Sequence, residues 1–156
     1  IYARDEYGVE ATDTATVNIY YLVRQTNNTF VANGMYLMEN RQYEGSYTYD
    51  SSNYVGATTT LSSNALFTFS SSTTSQKIKN TNSGHYASGN SPGCTTTNSN
   101  NATTYTVQEY SGDYFRIYSG SRYWRMTGAT SMGTQNRPSD EGATNLQWMI
   151  YRALVD

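Results

Sequence analysis

The chain has 156 residues, ten basic and twelve acidic, for a formal net charge of −2 with only 14% of residues charged. No Lys/Arg run breaks that balance, which argues against a charge-driven nucleic-acid or lipid partner. A single cysteine, Cys94, excludes an internal disulfide framework and a cysteine-based zinc site. No stretch reaches the roughly 18 apolar residues of a membrane span. No signal peptide opens the chain, as expected of a mature protein or of a piece of a larger one. Polarity comes instead from Ser, Thr, Asn and sixteen Tyr, a mixture that suits half-buried strands joined by tight turns.

Residues 1–19 differ from the rest. Tyr2-Ala3-Arg4-Asp5-Glu6-Tyr7-Gly8-Val9 leads into Thr14-Ala15-Thr16-Val17-Asn18-Ile19, and alternation on both sides of a polar turn predicts a β-hairpin. Its Tyr, its Asp-x-x-Gly turn and its Val-x-Val-like tail make it similar to the closing hairpin of bacterial immunoglobulin-like modules. That resemblance implies the tail of an upstream module and a multidomain secreted or surface protein. The other reading is an ordinary first hairpin of the same domain.

From Tyr20 to Leu154 the chain compares with itself in three degenerate repeats, about 20–70, 76–110 and 114–152. Val23-Arg24-Gln25-Thr26-Asn27-Asn28-Thr29-Phe30 lines up with Ile78-Lys79-Asn80-Thr81-Asn82-Ser83-Gly84-His85-Tyr86. A shorter version is Ile117-Tyr118-Ser119-Gly120-Ser121-Arg122-Tyr123. Each reads as a strand, a polar turn and a strand opened by an aromatic: Phe30, Tyr86, Tyr123. Further on, glycine steps at Gly56, Gly93 and Gly133 precede closing strands that carry Phe67, Tyr105 and Trp148. No helical period is sustained, so the expected class is all-β. Three units of four short strands can share one core that none could build alone, and closing them into a barrel removes exposed sheet edges.

Asn82-Ser83-Gly84-His85-Tyr86 and Asn145-Leu146-Gln147-Trp148-Met149-Ile150 resemble the turn and the Gln-x-Trp strand of the ricin-type β-trefoil family. The resemblance implies a β-trefoil of three four-stranded repeats, here preceded by the N-terminal hairpin, and carbohydrate binding in one shallow pocket per lobe. The chain departs from the family at those pockets. The Gln of Gln-x-Trp is replaced by Ala65, Thr103 and Leu146. Ala32, Ser88 and Arg125 are expected where such lectins often place an acidic residue. Asn64 and Asn145 correspond to a sugar-binding Asn, with no match in the second repeat.

On this alignment residues 35–54 form an insertion in the first repeat, rich in tyrosine and therefore more ordered than a linker. A tyrosine ring suits a sugar, offering a flat surface to the apolar C–H face and a hydroxyl to the rim. The candidate carbohydrate-contacting residues are therefore Tyr43, Tyr47, Tyr49 and Asp50, with Asn64, Trp124 and Asn145. The alternative for the insertion is an extra hairpin whose tyrosines pack against the barrel. Trp124 follows Tyr123, so the two rings point to opposite faces of a strand. With Tyr123 in the core, Trp124 faces outward between Arg122 and Arg125, as a stacking platform or under an arginine cap. Trp148 belongs to the core.

No catalytic residue is expected. Asp140-Glu141 sits in a Pro-Ser-Asp-Glu-Gly loop of turn composition, His85 falls at a turn, and no nucleophile-elbow, metalloprotease or phosphate-loop motif occurs. No metal or cofactor is expected, and the chance glycosylation acceptors at Asn27 and Asn101 are read as unmodified. The sequence thus points to a non-catalytic, extracellular carbohydrate-binding module with a glycan or polysaccharide partner, attached to other domains of one polypeptide, without nucleic acid or membrane insertion. The competing reading is a structural or protein-interaction β-trefoil whose sugar pockets are degenerate.

Overall fold

The computed structural model describes residues 20–136 and 142–155, so the hairpin read over residues 1–19 and the Asp140-Glu141 pair lie outside it. After β1 (Tyr20–Arg24), the first lobe holds β2 (Gly34–Asn40), β3 (Tyr47–Asp50), β4 (Val55–Thr58) and β5 (Leu66–Phe69). The second opens on a strand broken at Lys77 into β6 (Ser75–Gln76) and β7 (Ile78–Asn80), followed by β8 (Tyr86–Ser88), β9 (Gly93–Thr96) and β10 (Tyr105–Ser111). The third holds β11 (Tyr114–Ser119), β12 (Arg122–Gly128), β13 (Ser131–Asn136) and β14 (Trp148–Val155). Short 3-10 turns, Ser63–Ala65, Ser99–Asn101 and Thr144–Leu146, precede the last strand of each lobe.

Antiparallel pairings close a ring: β2 to β5, β5 to β7, β6 to β10, β10 to β11, β11 to β14, and β14 back to β2. The pairs β3–β4, β8–β9 and β12–β13 stand off that ring as three hairpins. The registers repeat threefold. Tyr36 faces Phe67, Gln76 faces Tyr105, and Phe115 faces Trp148. Between lobes, Phe69 faces Ile78, Val107 faces Ile117, and Ile150 faces Met38. Within the hairpins, Gly56 faces Tyr49, Gly93 faces Ser88, and Gly133 faces Arg125. Equivalent residues meeting equivalent residues three times define a β-trefoil with a pseudo-threefold axis.

The barrel interior follows from strand alternation, since every second side chain points inward. Phe67, Tyr105 and Trp148 are buried in one cluster with Met38, Ile78 and Ile117. Gln76 breaks the apolar pattern at the position held by Tyr36 and Phe115. It is fully buried, and its amide holds the neighbouring loop by bonding Ser71 and Thr73 backbone.

The registers correct the boundaries of the first lobe. At the first-strand turns, Tyr47 faces Glu39, Tyr86 faces Lys79, and Tyr123 faces Tyr118. The counterpart of Tyr86 and Tyr123 is thus Tyr47, not Phe30. Residues 35–54 are therefore no insertion; they are the lobe's own first strand and hairpin. The additional material precedes them. β1 pairs with β14 alongside the ring, and Phe30 lies buried between Tyr36, Phe69 and Phe115 rings at 5.4–5.8 Å.

Candidate functional site

The residues predicted to touch sugar do not converge. Tyr47 and Tyr49, two apart on β3, share one face and pack with Met35 and Tyr151 over a small cluster around Leu37 and Leu66. Burial first, then the nearby Glu39 carboxylate and Tyr151, hold the Tyr47 hydroxyl above its ordinary ionisation range. Tyr43, in the turn after β2, leans against the main core. These rings are packing groups before they are ligand groups.

Trp124 is corrected outright. It is 1% exposed, edge-on to Tyr105 with ring centroids 5.0 Å apart, and its carbonyl accepts the Trp148 indole N–H at 3.3 Å. The alternation predicted along β12 does not hold there: Tyr123 is buried as expected, at 8% exposed, and Trp124 beside it is buried as well. At the shared turn position Tyr47 and Tyr86 are half-buried and Tyr123 is buried, while Thr48, Ala87 and Trp124 after it are all buried. Tyr123 stacks on Tyr118 at 4.6 Å.

Asn64 and Asn145 are equivalent, as the sequence suggested, but their shared service is structural. The Asn64 carbonyl accepts from Asn80 Nδ2 at 2.8 Å, and the Asn145 carbonyl accepts from Asn40 Nδ2 at 3.0 Å. Asn40 and Asn80 are fully buried at the ends of matching strands. Each caps its own turn through Oδ1, Asn40 accepting from Gln42 and Tyr43 N–H, Asn80 from Asn82 and Ser83 N–H. Each amide thus ties its lobe to the preceding one. Ser119 takes the place in the third lobe, too short for that reach.

Asp50 is 5% exposed and sits between the first two lobes. Its carboxylate accepts from Ser52 N–H at 2.8 Å and from the Ser83 hydroxyl, and meets His85 Nδ1 at 2.9 Å. Its carbonyl accepts from Asn64 Nδ2 at 2.8 Å. A buried carboxylate needs such partners, and here they leave it no free face toward a sugar. Cys94 lies beside this knot. Its thiol reaches toward the His85 carbonyl at 3.8 Å, and burial, then the Asp50 charge, push its pKa up to about 12.

The open chemistry gathers where the hairpin tips meet. Tyr54 is 57% exposed at the tip of the β3–β4 hairpin. One hollow beside it, about 350 Å³, is walled by Asn53, Ser91, Pro92 and Gly93; a second of about 350 Å³ is walled by Tyr49, Gly56, Thr127, Thr130 and Ser131. Tyr54 and Met132 line both. None of the described residues lining either hollow carries a charge. The Tyr54 backbone is pinned on both sides. Its carbonyl accepts from Ser51 N–H and Oγ at 3.0 and 2.6 Å, Val55 N–H bonds Pro92 O at 2.9 Å, and Cys94 N–H bonds Asn53 O at 3.1 Å. All three lobes contribute, but only the first supplies exposed aromatic surface.

Sequence reasoning passed over Tyr54, although it lay inside the quoted tyrosine-rich stretch. The available sign was its place directly before Val55-Gly56-Ala57, which puts it at the open end of a hairpin beside a buried strand.

No protein-family model matches the sequence, and no curated protein matches it. Solved structures do. A chain described as "Structure and mode of action of a mosquitocidal holotoxin" matches with a TM-score of 0.61 at 16% identity, covering 78% of this chain and 17% of that one. A structure of SeviL bound to asialo-GM1 saccharide matches with a TM-score of 0.57 at 11% identity, covering 76% of this chain and 97% of that one. This chain therefore spans less than a fifth of the holotoxin. At such identities the likeness is one of fold, and it agrees with the threefold registers: the chain folds as a β-trefoil.

Proposed function

We propose that the chain is a non-catalytic carbohydrate-binding module of a larger secreted or surface protein, and that it binds at the hairpin tips. One observation carries this reading: a solvent-facing, backbone-pinned Tyr54 between two uncharged hollows edged by hydroxyl and amide side chains. A ring for the apolar sugar face, donors and acceptors for its rim, and no net charge are the elements of neutral-sugar recognition. Pinning the loop beforehand lowers the ordering cost of binding. A saccharide-bound neighbour of the same fold adds support, although one fold serves many functions.

A glycan array that includes the asialo-GM1 saccharide tests the reading. The expected result is binding to at least one glycan, weakened tenfold or more by Tyr54→Ala at an unchanged melting temperature. An array silent for the native chain would overturn it. A second reading, a structural or protein-contact module, is favoured by the lateral pockets alone. The position after the turn aromatic holds Tyr49, Ser88 and Arg125, none acidic, and the Gln-x-Trp glutamine is replaced in every lobe. The same substitutions are why the site is assigned to the hairpin tips.

A further inference from the structure

Resting on that carbohydrate reading, we infer that the ligand is a neutral oligosaccharide, bound once per chain, with two of its sugar units in the two hollows and the bond between them crossing Tyr54.

The two hollows have equal volume, about 350 Å³ each, at the small end of the range for small-molecule sites. Each has room for a sugar ring. They are not independent, because Tyr54 and Met132 form a common wall. A ligand filling only one would leave half of an exposed aromatic ring in water. One bridging both would cover it, and the second unit would join at the reduced entropic cost of a tethered group. The Tyr54 hydroxyl has no hydrogen-bond partner among the described residues, so it is available to the linkage or to a hydroxyl beside it. Polar groups flank the ring on both sides, Asn53 and Ser91 on one, Thr127, Thr130 and Ser131 on the other.

Neutrality follows from the same lining. A carboxylate-bearing sugar placed there would lose water without gaining a cation. Single occupancy follows from position. The pseudo-threefold axis gives each lobe a hairpin tip, yet the three tips present different residues, and only the first lobe sets an exposed ring there. Three lateral pockets would bind three ligands; this arrangement binds one.

The test is calorimetric titration of the chain with glucose, galactose, mannose and N-acetylglucosamine, each as oligomers of one to six units, and with oligogalacturonate. For at least one neutral series, affinity should rise tenfold or more from one unit to two or three and then level off, with one ligand per chain. Ser91→Tyr and Thr130→Tyr each place bulk in one hollow from an exposed position. Either should remove the gain in affinity with ligand length. A monosaccharide bound as tightly as its oligomers, tighter binding of oligogalacturonate, or three ligands per chain would overturn the inference while the carbohydrate reading stands. Failure of all these probes beside a positive array would do the same. Failure of probes and array together would remove both.

Discussion

Asn80 shows how much one buried amide can hold. It caps its own turn and reaches the first lobe's 3-10 turn, so removing it strands several main-chain groups at once. Leaving buried polar groups unpaired costs about 1–3 kcal/mol each. Asn80→Ala is expected to lower the unfolding free energy by about 2–3 kcal/mol, part of the turn still being reached by water. Urea denaturation would measure it. Ser119→Ala, at the same place in the third lobe but without the bridge, should stay within about 0.5 kcal/mol of the native chain. Equal losses at both positions would show that the bridge adds nothing. Asn80 was readable in the sequence as part of a turn, but its match with Asn40 was not. Nor was its second bond, because a carbonyl sixteen residues away leaves no mark on residue type.

Among elements, the hairpin β3–β4 depends on a close approach that its counterparts lack. A Cβ built at Gly56 would lie 2.8 Å from Tyr49 Cε1, whereas one at Gly93 meets nothing nearer than 3.7 Å and one at Gly133 nothing within 4 Å. Gly56→Ala must push the Tyr49 ring off its seat, an overpacking expected to cost about 1–3 kcal/mol, and to disturb the second hollow. Gly133→Ala should be nearly silent in the same thermal melts; a Gly56 variant as stable as the Gly133 one would refute the packing argument. The three glycine steps were legible as a repeat, and so were Phe67, Tyr105 and Trp148, because each glycine is followed by a closing strand that carries a core aromatic. The opening strands were not. The turn from Asn40 to Tyr47 is one residue longer than that from Asn80 to Tyr86, and Asn27-Asn28-Thr29-Phe30 mimics it upstream. Comparison without gaps therefore settles on the mimic, creates a false insertion, and leaves Trp124 outside the core.

The whole molecule stores an alkaline sensitivity in its buried thiol and phenols. Cys94 is raised from 9.0 to about 12, chiefly by burial, and burial likewise raises Tyr105, Tyr47, Tyr118 and Tyr151 above 10.0. In the unfolded chain these groups release their protons at ordinary values, so above them the unfolded state binds fewer protons and rising pH favours it. Their stabilisation is therefore complete below pH 9.0 and is lost as pH rises through 12. Melting temperature followed across that window should fall, first with Cys94 and more steeply above 10.0 as the tyrosines join. In Cys94→Ala the onset should move to the tyrosine range; an unchanged onset would exclude the thiol as its source. Threefold symmetry was the part of the molecule most visible in the sequence, since equivalent core positions select similar side chains. The hairpin-tip site was hidden because it exists only where three dissimilar tips are brought together.

The annexed strand fixes an orientation. Tyr20 lies opposite Val155, so whatever precedes and follows the trefoil enters and leaves side by side. That junction sits at the Met35 end of β2, where Ala153 pairs, while the hairpin bearing Tyr54 departs from the Asn40 end, where Trp148 pairs. The five residue steps from Met35 to Asn40 span roughly 17 Å of strand. The ring is therefore polar like a bulb in its socket, with the Tyr20 and Val155 strand ends at one pole and the Tyr54 face toward the other.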